Sequence, residues 1–155
     1  MARILAVCKS KKKGIRKDDV KEGYFLQDYG MDDDAHADSN SHRQVSLMAI
    51  ESIEKMRELG LDVGPGDFAE NLTTEGMDMV SLPVGTKISV GDEVKLEITQ
   101  IGKECHTKCA IYRAVGQCIM PEEGVFTRVT HGGTINTGDE IKEGETRKFS
   151  FKKSS

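Results

Sequence analysis

Three of the four cysteines and one of the four histidines fall in one short stretch, as Cys105, His106, Cys109 and Cys118. Thiols placed this close together can carry sulfur, ligate a metal or exchange as a disulfide. Cys105 is the first candidate for a functional thiol. It follows the cleanest alternating strand pattern in the chain, residues 95–101, and loops at strand ends are where rigid scaffolds present reactive groups. Lys103, His106 and Lys108 stand close enough in sequence to favour its thiolate electrostatically. Cys109 leads into Ala110 and Ile111 and reads equally well as core, whereas Cys118 suits a resolving thiol or a second ligand. The four residues could also supply soft ligands to zinc. Their spacing matches no common zinc pattern, however, and adjacent Cys-His ligands are geometrically awkward.

Other polar groups cluster elsewhere. Lys9, Lys11, Lys12, Lys13, Arg16 and Lys17 form a basic segment, and Asp28 with Asp32, Asp33 and Asp34 an acidic one. Each reads as a solvated loop, or the basic one as the holder of a phosphorylated ligand. His36 and His42 flank a polar loop that leads into Arg43. Asp67, Glu70 and Asn71 follow a Gly-Pro-Gly turn, where they could accept hydrogen bonds from a ligand or cap local backbone. Arg128 and His131, around a later strand end, are weaker candidates.

The elements that must position these groups are mostly strands. A length of 155 residues fits one domain over residues 1–146, with a charged, serine-bearing tail at 147–155 that is expected to fray. No run approaches the roughly eighteen apolar residues of a membrane helix, and the first residues do not read as a signal peptide. Both point to the cytoplasm, where cysteines are free, reactive or metal-bound. A net charge of −4 and the lack of tryptophan argue against nucleic acid as a partner. Strands are expected at residues 2–8, 23–27 and 43–47, with long loops at 9–20 and 28–42. Ile50, Ile53, Met56 and Leu59 recur at helical spacing before a stop at Gly60, with Ser46 as the expected N-cap. From Leu82 onward the signals are β, including two similar turns at Gly91-Asp92-Glu93 and Gly138-Asp139-Glu140. The pattern predicts a mainly β fold, a closed or nearly closed β-barrel with one main helix and a few short helical turns.

A resemblance sharpens this. Lys12-Lys13-Gly14-Ile15-Arg16-Lys17, Asp34-Ala35-His36-Ala37, His42-Arg43-Gln44-Val45-Ser46-Leu47, Gly66-Asp67-Phe68-Ala69-Glu70-Asn71-Leu72-Thr73, Cys105 and Gly124-Val125-Phe126 occur in an order that resembles a stand-alone MOSC domain. That domain is found at the C-terminus of molybdenum cofactor sulfurases. The resemblance implies a barrel-like fold, a pocket for the molybdenum cofactor (molybdopterin), and a functional cysteine that ligates molybdenum or carries sulfur as a persulfide. Carried onto this chain, it makes Cys105 the catalytic thiol and metal ligand, with Cys109, Cys118, His106 and Arg128 secondary. His36, His42 and Arg43 would fix the pterin or its phosphate, for which a bidentate arginine suits. Lys13 and Arg16 would counter the phosphate, and Asp67, Glu70 and Asn71 would accept from pterin amino groups. The implied activities are sulfur transfer or molybdenum-dependent reduction of N-hydroxylated compounds. The partners would be a cysteine desulfurase, which alone would bear any pyridoxal phosphate, a molybdoenzyme or an electron donor. The alternatives are a non-catalytic pterin-delivery module and a thiol-redox or zinc module built on Cys105, Cys109 and Cys118. Relatives usually carry glycines around the Asp-Ala-His-Ala unit, where this chain has Asp33 and Asp38. A positive φ there would be taken by aspartate only at a cost.

Overall fold

Period-two alternation sets most of the strands, and its failures mark the bends. The computed structural model describes residues 2–12, 15–102 and 123–144. It begins with β1 (Arg3–Lys9), β2 (Asp18–Asp19), β3 (Glu22–Leu26), β4 (Gly30–Met31) and β5 (Val45–Ala49). Helix α1 (Ile50–Glu58) follows, then β6 (Leu72–Glu75) and a 3-10 turn at Met79–Ser81. The rest is β7 (Lys87–Val90), β8 (Val94–Ile101), β9 (Val125–His131), β10 (Gly133–Asn136) and β11 (Ile141–Glu143). Val94, Leu96 and Ile98 of β8 are buried in alternation, as a half-buried strand requires. In β5, four consecutive residues are buried, because its two faces meet different layers. Val45 and Leu47 enter the main core, while Met48 packs with Ile53 and Met56 of α1 and with Phe68 and Phe126.

The strands are mainly β as expected, but they do not close into a barrel. They form an eight-stranded sheet, in the order β11-β7-β8-β9-β5-β6-β1-β2, and a separate three-stranded sheet, β10-β3-β4. Closure would need a ladder between β1 or β2 and β11. Instead β2 has two residues and β11 three. Strand β1 meets the chain around the start of β11 through an isolated Arg3–Glu140 bridge and a few backbone hydrogen bonds, such as Ile4 N–H to the Asp139 carbonyl, that do not extend into a ladder. Very short end strands leave little edge for another chain to pair with. The smaller sheet contributes Phe25, Met31 and Ile135 to the main core.

Two local expectations also change. Ser46 is not the N-cap of α1; Ala49 is, without a side-chain cap bond, because the strand runs three residues further and Ser46 is hydrogen-bonded inside it. Leu59 is the C-cap and is exposed, and Gly60 beyond it takes φ +97°, the left-handed conformation in which helices commonly stop. Among the described residues, no helix is long and apolar enough to cross a membrane.

Candidate functional site

The candidate residues fall into two groups, one folded inward and one facing out. The inner group joins three loops. Lys17, in the basic segment, has no exposed side-chain surface, and neither does its partner Asp34. The Lys17 ammonium donates to Asp34 Oδ1 at 2.8 Å and to Ser10 Oγ at 3.0 Å. The Asp34 carboxylate also accepts from the Ser10 and His36 amides. Burial pushes the Asp34 carboxyl up, but Lys17 and the Ser10 amide outweigh it and hold the group below its ordinary value. His36 thus follows the anchor by two residues, its ring Nδ1 3.9 Å from Asp34 Oδ2. Asp33 does take the left-handed φ, +65°, which aspartate tolerates better than most residues. Its carboxylate turns to Lys9 at 3.2 Å.

The Gly-Pro-Gly turn packs directly on the basic segment. Lys17 N–H donates to the Gly66 carbonyl, and a Cβ on Gly66 would lie 2.1 Å from the Lys17 oxygen; only glycine permits that approach. Arg16 Nη1 lies 3.6 Å from Asp67 Oδ1, and the other Asp67 oxygen accepts from the Gly64 amide. Glu70 and Asn71 are fully buried. Glu70 accepts from the Gly66 and Phe68 amides and the Thr73 hydroxyl. Burial outweighs these bonds and raises its carboxyl. Asn71 accepts from the Ser46 amide and donates to the Cys8 carbonyl, stitching β5 to β1. Glu70 thus caps local backbone, whereas Asn71 bonds backbone brought in from two strands distant in sequence. Ala69 between them and the turn holds φ +63°, a conformation costly for a residue with a Cβ.

The outer group centres on the end of β8. His42 Nε2 and Arg43 Nε both reach Gln100 Oε1, at 2.9 and 3.0 Å. The Arg43 guanidinium lies over the Phe126 ring, 5.3 Å from its centroid, a favourable cation–π distance. Both basic side chains are exposed. Among the described residues, no hydrogen-bond acceptor meets the two terminal nitrogens of Arg43. Gly102 N–H donates to the Gly124 carbonyl at 2.6 Å, so the chain leaves and re-enters the sheet at one neck. Cys105 follows Gly102 by three residues of sequence. Past the neck, Glu123 accepts from Ser52 Oγ and Lys55 Nζ of α1, anchoring the return to the helix. Burial raises the Glu123 carboxyl, but Ser52 and Lys55 prevail and lower it.

Cys105, His106, Cys109, Cys118 and Lys13 lie outside the described residues. Arg128 is engaged by Asp28 at 3.6 Å, away from the Gln100 cluster's hydrogen bonds. Cys8 is buried core; burial first, then the nearby Glu70 and Asp19 charges, pushes its thiol far above the ordinary range, so it is inert. Thr99 and Gln100 escaped the sequence reading, and Phe126 entered it only as part of the Gly124-Val125-Phe126 motif, without a role. One signal was present. Apolar residues at 94, 96 and 98 resume at 101 instead of 100, the mark of an extra residue in the strand.

An open two-sheet β fold with an outward-facing basic pair beside the neck of a cysteine-bearing segment defines the class. The model of the MOSC domain family matches residues 32–142, and the chain belongs to that family. Among solved structures it is similar to the YuaD protein from Bacillus subtilis, with 18% identity, a TM-score of 0.76, and 91% of this chain and 94% of that one covered. It is also similar to YiiM from Geobacillus stearothermophilus, at 17% identity and TM-score 0.69, covering 94% and 76%. YiiM from Escherichia coli aligns at 16% identity and TM-score 0.62, covering 94% and 71%. No curated protein matches the sequence.

Proposed function

We propose that this MOSC protein binds the molybdenum cofactor through an anionic group seated on His42 and Arg43, with Cys105 as the working thiol. The observation that carries the reading is the pairing of an oriented, outward guanidinium with the neck from which the Cys105 segment departs. The donor set fits a phosphorylated pterin. The Arg43 fork can meet two phosphate oxygens at once, and the His42 ring adds a neighbouring polar edge. Arg16, which is largely exposed and only loosely held by Asp67, offers a second cation from the other loop group. Glu70 and Asn71 contribute by fixing the loop behind it, not as ligand contacts.

When bound, the cofactor supplies a metal at which oxygen or sulfur is exchanged. The Cys105 thiolate serves it as a ligand, or as a persulfide carries one sulfur received from a separate cysteine desulfurase. The ligand branch makes the protein a reductase of N-hydroxylated compounds fed by an outside electron donor. The carrier branch makes it a sulfur transferase.

The test uses protein purified from a molybdenum-replete host, with metal analysis and intact mass spectrometry on the wild type, Cys105→Ala and Arg43→Ala. Wild type should hold molybdopterin or a mass increment of one sulfur. Arg43→Ala should lose the pterin by at least about tenfold, as expected for losing a charge-assisted contact, and Cys105→Ala should lose the metal or the extra sulfur. Wild type with neither species, or with zinc and a Cys105–Cys118 disulfide instead, would overturn the reading.

A further inference from the structure

The ladder between β8 and β9 slips twice, the second time near the C-terminal end of β8. Ile98 pairs with Thr127 and Gln100 with Phe126, which leaves Thr99 as an extra residue in β8. Such a bulge bends the strand and re-aims the side chains beside it, and bulges recur next to working sites. Thr99 Oγ1 lies 2.5 Å from the His42 carbonyl and 3.2 Å from that of Phe126, fastening the His42 backbone to the bulge. Gln100 beyond it makes three contacts with one amide. Its oxygen faces His42 Nε2 and Arg43 Nε, and its nitrogen donates to the Gly102 carbonyl at 2.6 Å.

These contacts leave the amide one orientation. Arginine Nε can only donate, so the atom facing it is the Gln100 oxygen. That oxygen also sets the role of the His42 ring: Nε2 carries the proton it donates, so in any neutral form of the ring the bare nitrogen is Nδ1. We infer that Gln100 is a positioning residue, holding His42 and Arg43 side by side for a phosphate-class anion and tying both to the neck of the cysteine segment. It acts through the pair and touches no ligand itself. The anion part rests on the function proposed above; the positioning part does not.

The experiment therefore has two arms on the full chain. The first reads the ¹⁵N signature of the His42 ring at neutral pH in wild type, Gln100→Leu and Gln100→Glu. Wild type should show the Nε2–H tautomer alone, Gln100→Leu should relax to the tautomer mixture of an unconstrained imidazole, and Gln100→Glu, which restores an acceptor, should keep the wild-type signature. A role confined to strand packing would change the unfolding midpoint without changing the tautomer, so an unaltered His42 signature in Gln100→Leu overturns the inference. The second arm titrates inorganic pyrophosphate. Affinity should fall about tenfold in Gln100→Leu, the scale of one oriented contact to a charged group, and further in Gln100→Glu, whose carboxylate repels the anion. Equal affinity in wild type and Gln100→Leu also overturns the inference. If wild type binds no pyrophosphate while the tautomer responds as expected, positioning stands and the ligand reading falls.

Discussion

Lys17 and Arg43 carry the same charge and do opposite things. Lys17 is sealed from solvent, with its ammonium given to Asp34 and Ser10. Arg43 is exposed, spends one nitrogen on Gln100 and rests on Phe126, and among the described residues its terminal nitrogens make no hydrogen bond. The difference lies in what folds around each cation. Lys17 has three loops converging on it and serves as a structural joint, whereas Arg43 is exposed and is held among the described residues by one amide and one ring. A buried pair contributes through the cost of leaving either charge alone, and an exposed, oriented guanidinium through what it can still bind.

The largest effect expected from this contrast is on stability. Lys17→Met leaves the Asp34 carboxylate buried without a counter-charge, which should cost about 3–5 kcal/mol and shift the urea midpoint accordingly. Lys17→Met with Asp34→Asn removes both charges while an amide oxygen can still accept from the Ser10 or His36 N–H. The double variant should recover more than half of the loss, a non-additivity expected of residues in contact. A Lys17→Met cost below about 1 kcal/mol, the ordinary value of a surface pair, would remove the distinction between the two cations.

A smaller effect should appear in acid. The Asp34 carboxyl titrates lower in the folded protein than in the unfolded chain, where it sits near 3.9. The folded state therefore binds fewer protons as pH drops. The contribution of Asp34 is present above about pH 4 and is lost as pH falls through the folded value. Glu70 runs the other way: its folded carboxyl titrates higher, so its contribution declines as pH rises from the unfolded value through the folded one. Urea midpoints measured from neutral pH down to about pH 2 should show a shallower acid limb for Asp34→Asn than for wild type. Limbs of equal slope would mean that the Lys17–Asp34 pair does not set acid stability.

How much of this was legible in the chain depends on whether the signal was local. The first strand, helix α1 and the Gly60 stop follow from periodicity and turn chemistry, which act over a few residues. Barrel closure is a property of ladder ends far apart in sequence, and the two-residue β2 and three-residue β11 carry too little pattern to reveal how they pair. Lys17 was indistinguishable from Lys12 and Lys13 because its burial depends on Asp34 and Gly66, which arrive from other loops. His42 and Arg43 were picked out by motif. Their support was missed because the Thr99 bulge is a break in alternation one residue long. Glu70 and Asn71 were found as important polar residues, but only the fold shows that their bonds go to the protein's own backbone.

The smallest expected effect separates neighbours in sequence. Arg16 precedes Lys17 and carries the same charge, but its side chain is 75% exposed and its contact with Asp67 is long, 3.6 Å. An ion pair of that kind contributes less than about 1 kcal/mol, because water screens both charges and the long side chain loses freedom to form it. Asp67 also keeps its bond to the Gly64 amide when Arg16 is removed, so the turn retains its cap. Arg16→Ala should therefore leave the urea midpoint nearly unchanged while weakening pyrophosphate binding by only a few-fold, less than Arg43→Ala does, since no amide orients it. A stability loss approaching that of Lys17→Met would mean that the whole basic segment acts as one joint. A binding loss exceeding that of Arg43→Ala would move the anion from the neck of the cysteine segment to the loop pair at Arg16 and Asp67.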